Sequence, residues 1–93
     1  MKLLTENEIG KRLEELEGWE YVDNALYATF EFENFKEAFV AMTRIAFEAE
    51  KMNHHPEWTN SYNLVEFYLS THDANGVTEK DFELAQVVED LIG

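Results

Sequence analysis

The fold is decided where residues 26–39 read LYATFEFENFKEAF, because the hydrophobic period changes within this stretch. Apolar and polar residues alternate from Leu26 to Phe32, which predicts a half-buried strand. Asn34 then stands three residues before Glu37, a pair that predicts the start of a long helix. Its expected apolar stripe is Phe35, Ala38, Phe39, Met42, Ile45, Ala46, Ala49 and Met52. Pro56 predicts the end of this helix, since a residue before proline avoids helical dihedrals.

The N-terminal side of this stretch predicts one helix and one hairpin. Thr5 and Glu8 have the spacing of a capping box, and Gly18 follows the last helically spaced leucine. Residues 19–22 predict another short strand, and Asp23-Asn24 separates it from the strand that begins at Leu26. The two strands are therefore expected to pair.

The C-terminal side repeats the pattern of two strands and a helix. Residues 58–60 and 63–71 predict a second strand pair, with Val65, Phe67 and Leu69 on one face. Asn75-Gly76 predicts a turn, and Thr78 is expected to cap a last helix.

The whole chain, residues 1–93, is thus predicted to form a single domain of the α+β class with the order αββαββα. Three helices are expected to pack on one face of a four-stranded antiparallel sheet, because both hydrophobic patterns must be buried. The other face and the sheet edges remain for partners.

Composition narrows the possible partners. The net charge of −13 argues against direct binding of nucleic acid or of anionic membrane surfaces. The chain has no cysteine, no apolar run of membrane-spanning length and no secretory signal in its first residues, so a cytoplasmic protein is expected. A chain of 93 residues buries a small core, which favours self-association.

All three histidines fall in two short polar segments. His54 and His55 precede Pro56, and His72 lies in the segment Ser70-Thr71-His72-Asp73. Imidazole gives and takes protons near neutral pH, so the two segments would form an acid/base site if they met in space. This is the central hypothesis for the function.

Each candidate residue also has a purely structural interpretation. His54 and His55 are predicted in the last turn of the long helix, where a cation meets the negative end of the helix dipole, and His72 fits a solvated strand end. Glu50 lies four residues before His54, on the same predicted helical face. It orients that imidazole, accepts hydrogen bonds from the ring nitrogens of a ligand, or is simply solvated. Asp81 is three residues after a helix cap and is explained by capping alone.

A metal site and an aromatic stacking platform are the two other kinds of site that these residue types allow. A metal site is not predicted, because adjacent histidines diverge on a helix and no cysteine adds a ligand. Trp58 and Tyr62 are able to stack on a flat heterocycle, but aromatic residues in short strands more often pack in a core.

At these residues the chain resembles the pterin-4a-carbinolamine dehydratase family. The family pattern is an acidic residue, three others, His-His-Pro, a spaced aromatic, a spaced His or Trp, and a later Asp. The matching positions here are Glu50, His54, His55, Pro56, Tyr62, His72 and Asp81. Asn53 and Lys80 stand where better-known members of the family have aspartate and arginine, a departure that bears on binding strength and partner contacts and not on the reaction class.

The resemblance implies a lyase without a cofactor, acting on a small-molecule pterin. It would remove water from 4a-hydroxytetrahydropterin to give quinonoid dihydropterin, as part of tetrahydrobiopterin recycling. By the same resemblance His54 and His72 are the acid/base candidates, and His55 holds the 4a-hydroxyl or shares the proton transfer. The positions implied to bind substrate are Glu50, Asn53, Ser70, Thr71, Asp73 and Asp81.

The family also implies a rival role and an assembly. Members form homodimers or homotetramers, and an animal member serves as a dimerisation cofactor for a homeodomain transcription factor. A protein-binding module on the same fold, dimerisation cofactor or assembly factor, is therefore the alternative to an enzyme.

Overall fold

A computed structural model describes residues 2–92 and confirms the predicted α+β fold and element order. The elements are α1 (Glu6–Leu13), β1 (Glu20–Val22), β2 (Ala25–Glu31), α2 (Phe35–Met52), β3 (Glu57–Ser61), β4 (Leu64–Leu69) and α3 (Glu79–Ile92). A one-turn 3-10 helix, His72–Ala74, lies between β4 and α3. Within residues 2–92, no helix is both long and apolar enough to cross a bilayer.

The four strands form one antiparallel sheet in the order β1-β2-β4-β3. Asp23 and Asn24 both have positive φ, 50° and 64°, as the two central residues of a tight hairpin turn require. The predicted hairpin is therefore confirmed. In the centre of the sheet, Phe67 of β4 stands opposite Ala28 of β2 and Trp58 of β3.

The core lies between one face of the sheet and the three helices. Leu26, Phe67 and Leu69 on the sheet are almost completely buried. The helices contribute Ile9, Ala38, Ile45, Ala49, Leu84, Ala85 and Val88. Trp58 packs its ring 5.7 Å from that of Phe67, so it belongs to the core and not to an exposed stacking platform.

The predicted apolar stripe of α2 is partly wrong. Phe35 and Phe39 are 49% and 57% exposed, whereas Ala41, which the prediction left out, is buried. Adjacent side chains on a helix point roughly 100° apart, so turning buried Ala38 to the sheet points Phe39 away from it. Small side chains face the core here, and the aromatic rings of α2 face outward.

The predicted end of α2 is also wrong, by a few residues. The helix ends at Met52, because Asn53 adopts the left-handed conformation, with φ of 54° and ψ of 40°. The Asn53 and His54 N–H groups then donate to the carbonyl oxygens of Glu50 and Ala49, the pairing of a Schellman motif. His54 and His55 therefore follow the helix and do not form its last turn.

Strand β4 ends earlier than predicted, and the chain turns back at once. Thr71 forms an isolated bridge with Gly76, and Asn75 between them has φ of 64°. The predicted Asn75-Gly76 turn is thus confirmed. His72 begins the one-turn helix inside this tight loop.

Candidate active site

All three imidazoles line one cavity of about 510 Å³. The sequence placed them in two segments, and the fold brings these segments side by side. The lining residues are Asn53, His54, His55, Pro56, Glu57, Ser70, Thr71, His72 and Asp73. The volume lies within the usual range of small-molecule sites.

Two tight turns carry the histidines to this cavity. The left-handed Asn53 stops α2 and sends His54 and His55 out of the helical path. The loop from Thr71 to Gly76 carries His72, and it is closed by the Thr71 N–H donating to the Gly76 carbonyl at 2.8 Å. Both turns are held by backbone hydrogen bonds, so the positions of the imidazoles depend on local chain geometry.

A lysine ties the end of α2 to the start of α3. Lys80 Nζ donates to the Met52 carbonyl oxygen at 3.4 Å. A cation at this place complements the negative end of the α2 dipole. Lys80 therefore supports the turn that carries His54.

His54 is paired with a buried carboxylate. Its Nε2 lies 2.6 Å from Asp81 Oδ1, and the two side chains are 12% and 0% exposed. An ionised carboxylate only accepts hydrogen bonds, so Nε2 of His54 is the donor. In the neutral imidazole the lone pair is then on Nδ1.

The structural interpretation of Asp81 and the functional one hold together. Its Oδ2 accepts from the Thr78 N–H at 2.8 Å, which is the capping contact that the spacing predicted. The same oxygen accepts from Thr71 Oγ1 at 2.9 Å. One carboxylate thus caps α3 and orients His54, and both of its buried oxygens have hydrogen-bond partners within the protein.

Glu50 pairs with His55, and the predicted pairing with His54 is wrong. Glu50 Oε1 lies 2.8 Å from His55 Nε2, with side chains 79% and 58% exposed. The prediction assumed that the helix continues to His54, whereas the turn at Asn53 redirects the chain. An exposed pair of this kind contributes little to stability, so its interest lies in orienting the His55 ring.

The other predicted substrate-binding residues fall into two groups. Asn53, Ser70 and Asp73 line the cavity directly. Thr71 lines it too, but its hydroxyl donates inward to Asp81. Asp81 is completely buried behind His54 and reaches the site only through it.

Sequence reasoning gave no role to Glu57, which lines the cavity beside Pro56. The signal available for it was its position directly after the His-His-Pro run. Tyr62, the aromatic of the family pattern, is not among the lining residues; it is 64% exposed in the turn between β3 and β4. Thr78, predicted only as a cap, also joins the hydrogen-bond network of the site.

The donor set does not resemble a metal site. Within residues 2–92, no group of three or more His, Cys, Asp or Glu side chains is arranged to hold a metal ion. The two short contacts of the imidazoles go to carboxylates, one buried and one exposed. The arrangement is suited to proton transfer, since it holds ionisable rings around a space open to a ligand.

Comparison with known proteins agrees with this site. The sequence profile described as "Pterin 4 alpha carbinolamine dehydratase" matches residues 2–91. A protein of Christiangramia forsetii, provisionally named a pterin-4-alpha-carbinolamine dehydratase, is 55% identical over 92 residues, covering 99% of this chain and 95% of its own. A protein of Rhizobium meliloti with the same provisional name is 53% identical over 79 residues, covering 83% and 76%.

A solved structure gives the same result for the fold. The crystal structure of a transcriptional coactivator/pterin dehydratase from Brucella melitensis superimposes with a TM-score of 0.95 at 44% identity. The match covers 99% of this chain and 100% of that one. The resemblance seen in the sequence is confirmed, and this chain belongs to the pterin-4-alpha-carbinolamine dehydratase family of lyases.

Proposed function

We propose that this protein dehydrates 4a-hydroxytetrahydropterin by histidine acid/base catalysis. The observation that carries the proposal is the single cavity lined by His54, His55 and His72. Membership of the dehydratase family supports the choice of a pterin as the substrate.

The chemistry needs only proton transfer. The hydroxyl at C4a leaves as water once it is protonated, and the ring N–H loses its proton as the C=N bond forms. One general acid and one general base near neutral pKa are sufficient for this exchange. The reaction uses no cofactor.

His54 and His72 are proposed as the acid/base pair, and His55 as the residue that holds the 4a-hydroxyl. Asn53, Ser70, Thr71 and Asp73 would contact the pterin ring, since they line the same cavity. Glu50 would act through His55, and Asp81 through His54. The roles of the three histidines are those that the family resemblance implies, and the roles of Glu50 and Asp81 are supported by their contacts with His55 and His54.

The test is the rate of dehydration of freshly prepared 4a-hydroxytetrahydropterin. His54→Gln and His72→Gln are expected to lower kcat by about 100-fold or more, the usual range for losing a general acid or base. Gln86→Ala, on the exposed side of α3, serves as the control and keeps full activity. A wild-type rate equal to that of buffer would refute the proposal.

The wider setting is part of the same proposal. The quinonoid dihydropterin product would return to the tetrahydrobiopterin pool in the cytoplasm only after a separate two-electron reduction by another enzyme. The net charge of −13 supports a protein that binds neither nucleic acid nor an anionic membrane directly.

A protein-binding role is the second candidate, and the surface of α2 favours it. Phe39, Val40 and Phe47 are 57%, 48% and 68% exposed on this helix, and the Brucella melitensis structure is described as a coactivator as well as a dehydratase. The same apolar surface would also serve a homodimer or homotetramer. Light scattering of wild type and of Phe47→Glu tests the assembly, which we expect the glutamate to weaken.

A further inference from the structure

A buried chain of hydroxyl groups runs from the cap of α3 to the carboxylate that holds His54. Thr78 Oγ1 lies 2.7 Å from Thr71 Oγ1, and Thr71 Oγ1 lies 2.9 Å from Asp81 Oδ2. Thr71 is 8% exposed, and Thr78 and Asp81 are 0% exposed. Within residues 2–92, no buried side-chain nitrogen or oxygen lacks a hydrogen-bond partner.

The carboxylate of Asp81 fixes the donor and the acceptor of each hydrogen bond in this row of hydroxyl groups. A hydroxyl group has one proton to donate. Thr71 donates it to the carboxylate of Asp81, which only accepts hydrogen bonds. Thr71 Oγ1 therefore accepts a hydrogen bond from Thr78 Oγ1. Thr78 Oγ1 in turn accepts one from the Lys80 N–H at 3.3 Å. The network has a single polarity, and it points toward Asp81.

Because of these directions, the two oxygens of Asp81 have different hydrogen-bond partners. Oδ2 receives the Thr71 hydroxyl and the Thr78 N–H, so Oδ1 is left for His54 Nε2 at 2.6 Å. A carboxylate held by two donors on one oxygen cannot rotate freely. The imidazole it binds is thereby held in one orientation and in the tautomer protonated at Nε2.

We propose that the Thr71 and Thr78 hydroxyls are positioning residues for the reaction, acting through Asp81 on His54. The inference rests on the proposed function for its catalytic consequence, but not for its structural one. Neither hydroxyl needs to touch the pterin: the Thr71 proton is already committed to Asp81. Thr71 then has two roles: its hydroxyl belongs to the hydrogen-bond network, and the rest of the residue lines the cavity.

The test compares paired substitutions that either remove or keep the two hydroxyl groups. Thr71→Val with Thr78→Val removes both hydroxyls together, which avoids leaving one of them buried without a partner. Thr71→Ser with Thr78→Ser keeps both hydroxyls and is the rescue variant. Thr43→Val removes an exposed hydroxyl of α2, bonded only to the Phe39 carbonyl, and is the matched control.

Two measurements are made on each variant. Proton NMR without pterin follows the His54 Nε2 ring proton, which a 2.6 Å contact should move downfield and protect from exchange. Steady-state dehydration gives kcat and KM. In the double valine variant we expect the resonance to be lost or moved upfield, and kcat to fall about 10- to 100-fold at similar KM, as for loss of a hydrogen bond to a charged group.

The double serine variant should restore both readouts, and the control should change neither. A folded double valine variant with an unchanged ring-proton resonance, or with wild-type kcat, would overturn the proposal. If the wild type has no dehydratase activity, the proposed function fails, and the resonance alone then decides whether the hydroxyls position His54.

Discussion

Replacing Asp81 by asparagine should reverse the tautomer of His54 without unfolding the protein. Both donors on Oδ2, the Thr71 hydroxyl and the Thr78 N–H, require an acceptor at that place. In Asp81→Asn the amide oxygen must take it, so the amide NH2 faces His54 Nε2. That nitrogen then has to accept, and the imidazole proton moves to Nδ1.

The effect on stability is expected to be small. The asparagine oxygen keeps both hydrogen bonds that Oδ2 accepts, from the Thr78 N–H and the Thr71 hydroxyl, and a neutral amide is easier to bury than a charge. What is lost is a negative charge at the N-terminus of α3, about 0.3–1 kcal/mol. For a domain of this size, about 1 kcal/mol corresponds to roughly 4–8 °C in Tm.

The effect on activity should be far larger. In Asp81→Asn the hydrogen bond to His54 is reversed and loses its charged partner; a hydrogen bond to a charged group contributes about 1.5–3 kcal/mol, or roughly 10- to 150-fold in rate. A reversed tautomer adds to this: the equivalent Asp-to-Asn change in a serine protease lowers kcat by about 10⁴. We therefore expect kcat to fall about 10²- to 10⁴-fold, while Tm falls by no more than about 4–8 °C.

Nitrogen-15 NMR of the histidine rings identifies the protonated nitrogen directly, and a dehydration assay gives kcat. Asp90→Asn is the matched control, because Asp90 is an exposed carboxylate on the same helix. If His54 stays protonated at Nε2 in Asp81→Asn, or if that variant keeps wild-type kcat, the reasoning from the hydrogen-bond network is refuted.

Three further predictions concern other parts of the chain. Asn53 is left-handed, so Asn53→Gly should keep the turn, whereas Asn53→Val should cost about 1–2 kcal/mol; equal Tm values for the two variants would contradict this. The hydrogen bond to Glu66 raises the pKa of Tyr27 to about 12, so Glu66→Gln should lower the highest tyrosinate midpoint seen by ultraviolet absorbance, and an unmoved midpoint would count against that cause. The hydrogen bonds from Arg12 lower the pKa of Glu79 from its ordinary value; the stabilisation is therefore present above that ordinary value and is lost as pH falls through the lowered pKa. The Tm difference between wild type and Glu79→Gln should accordingly shrink on acidification, and a constant difference would disprove the linkage.

The order of elements was predictable because its signals are local. Alternation in β2 and β4, the Asp23-Asn24 turn and the cap at Thr5 each act within a few residues. The errors arose where two local signals competed. At the end of α2, Pro56 and Asn53 both predict a stop, and Asn53 acts first, because asparagine is the common alternative to glycine in left-handed helix ends.

The orientation of α2 was less predictable, since its sequence is apolar on more than one side. Ala38 and Phe39 are both hydrophobic, and the sequence does not say which of them faces the sheet. Packing decides it, because small side chains allow the helix to approach the sheet closely. The larger rings then remain outside.

For the site, the sequence by itself determined which reactive groups are present: three imidazoles in two segments, a carboxylate at capping distance from Thr78, and no thiol. Only the tertiary structure decided the pairing, giving Asp81 to His54 and Glu50 to His55. Residue types and local turns follow from interactions between neighbours in the chain. Which ring meets which carboxylate depends on how α2, β4 and α3 pack, and that is set by the whole core.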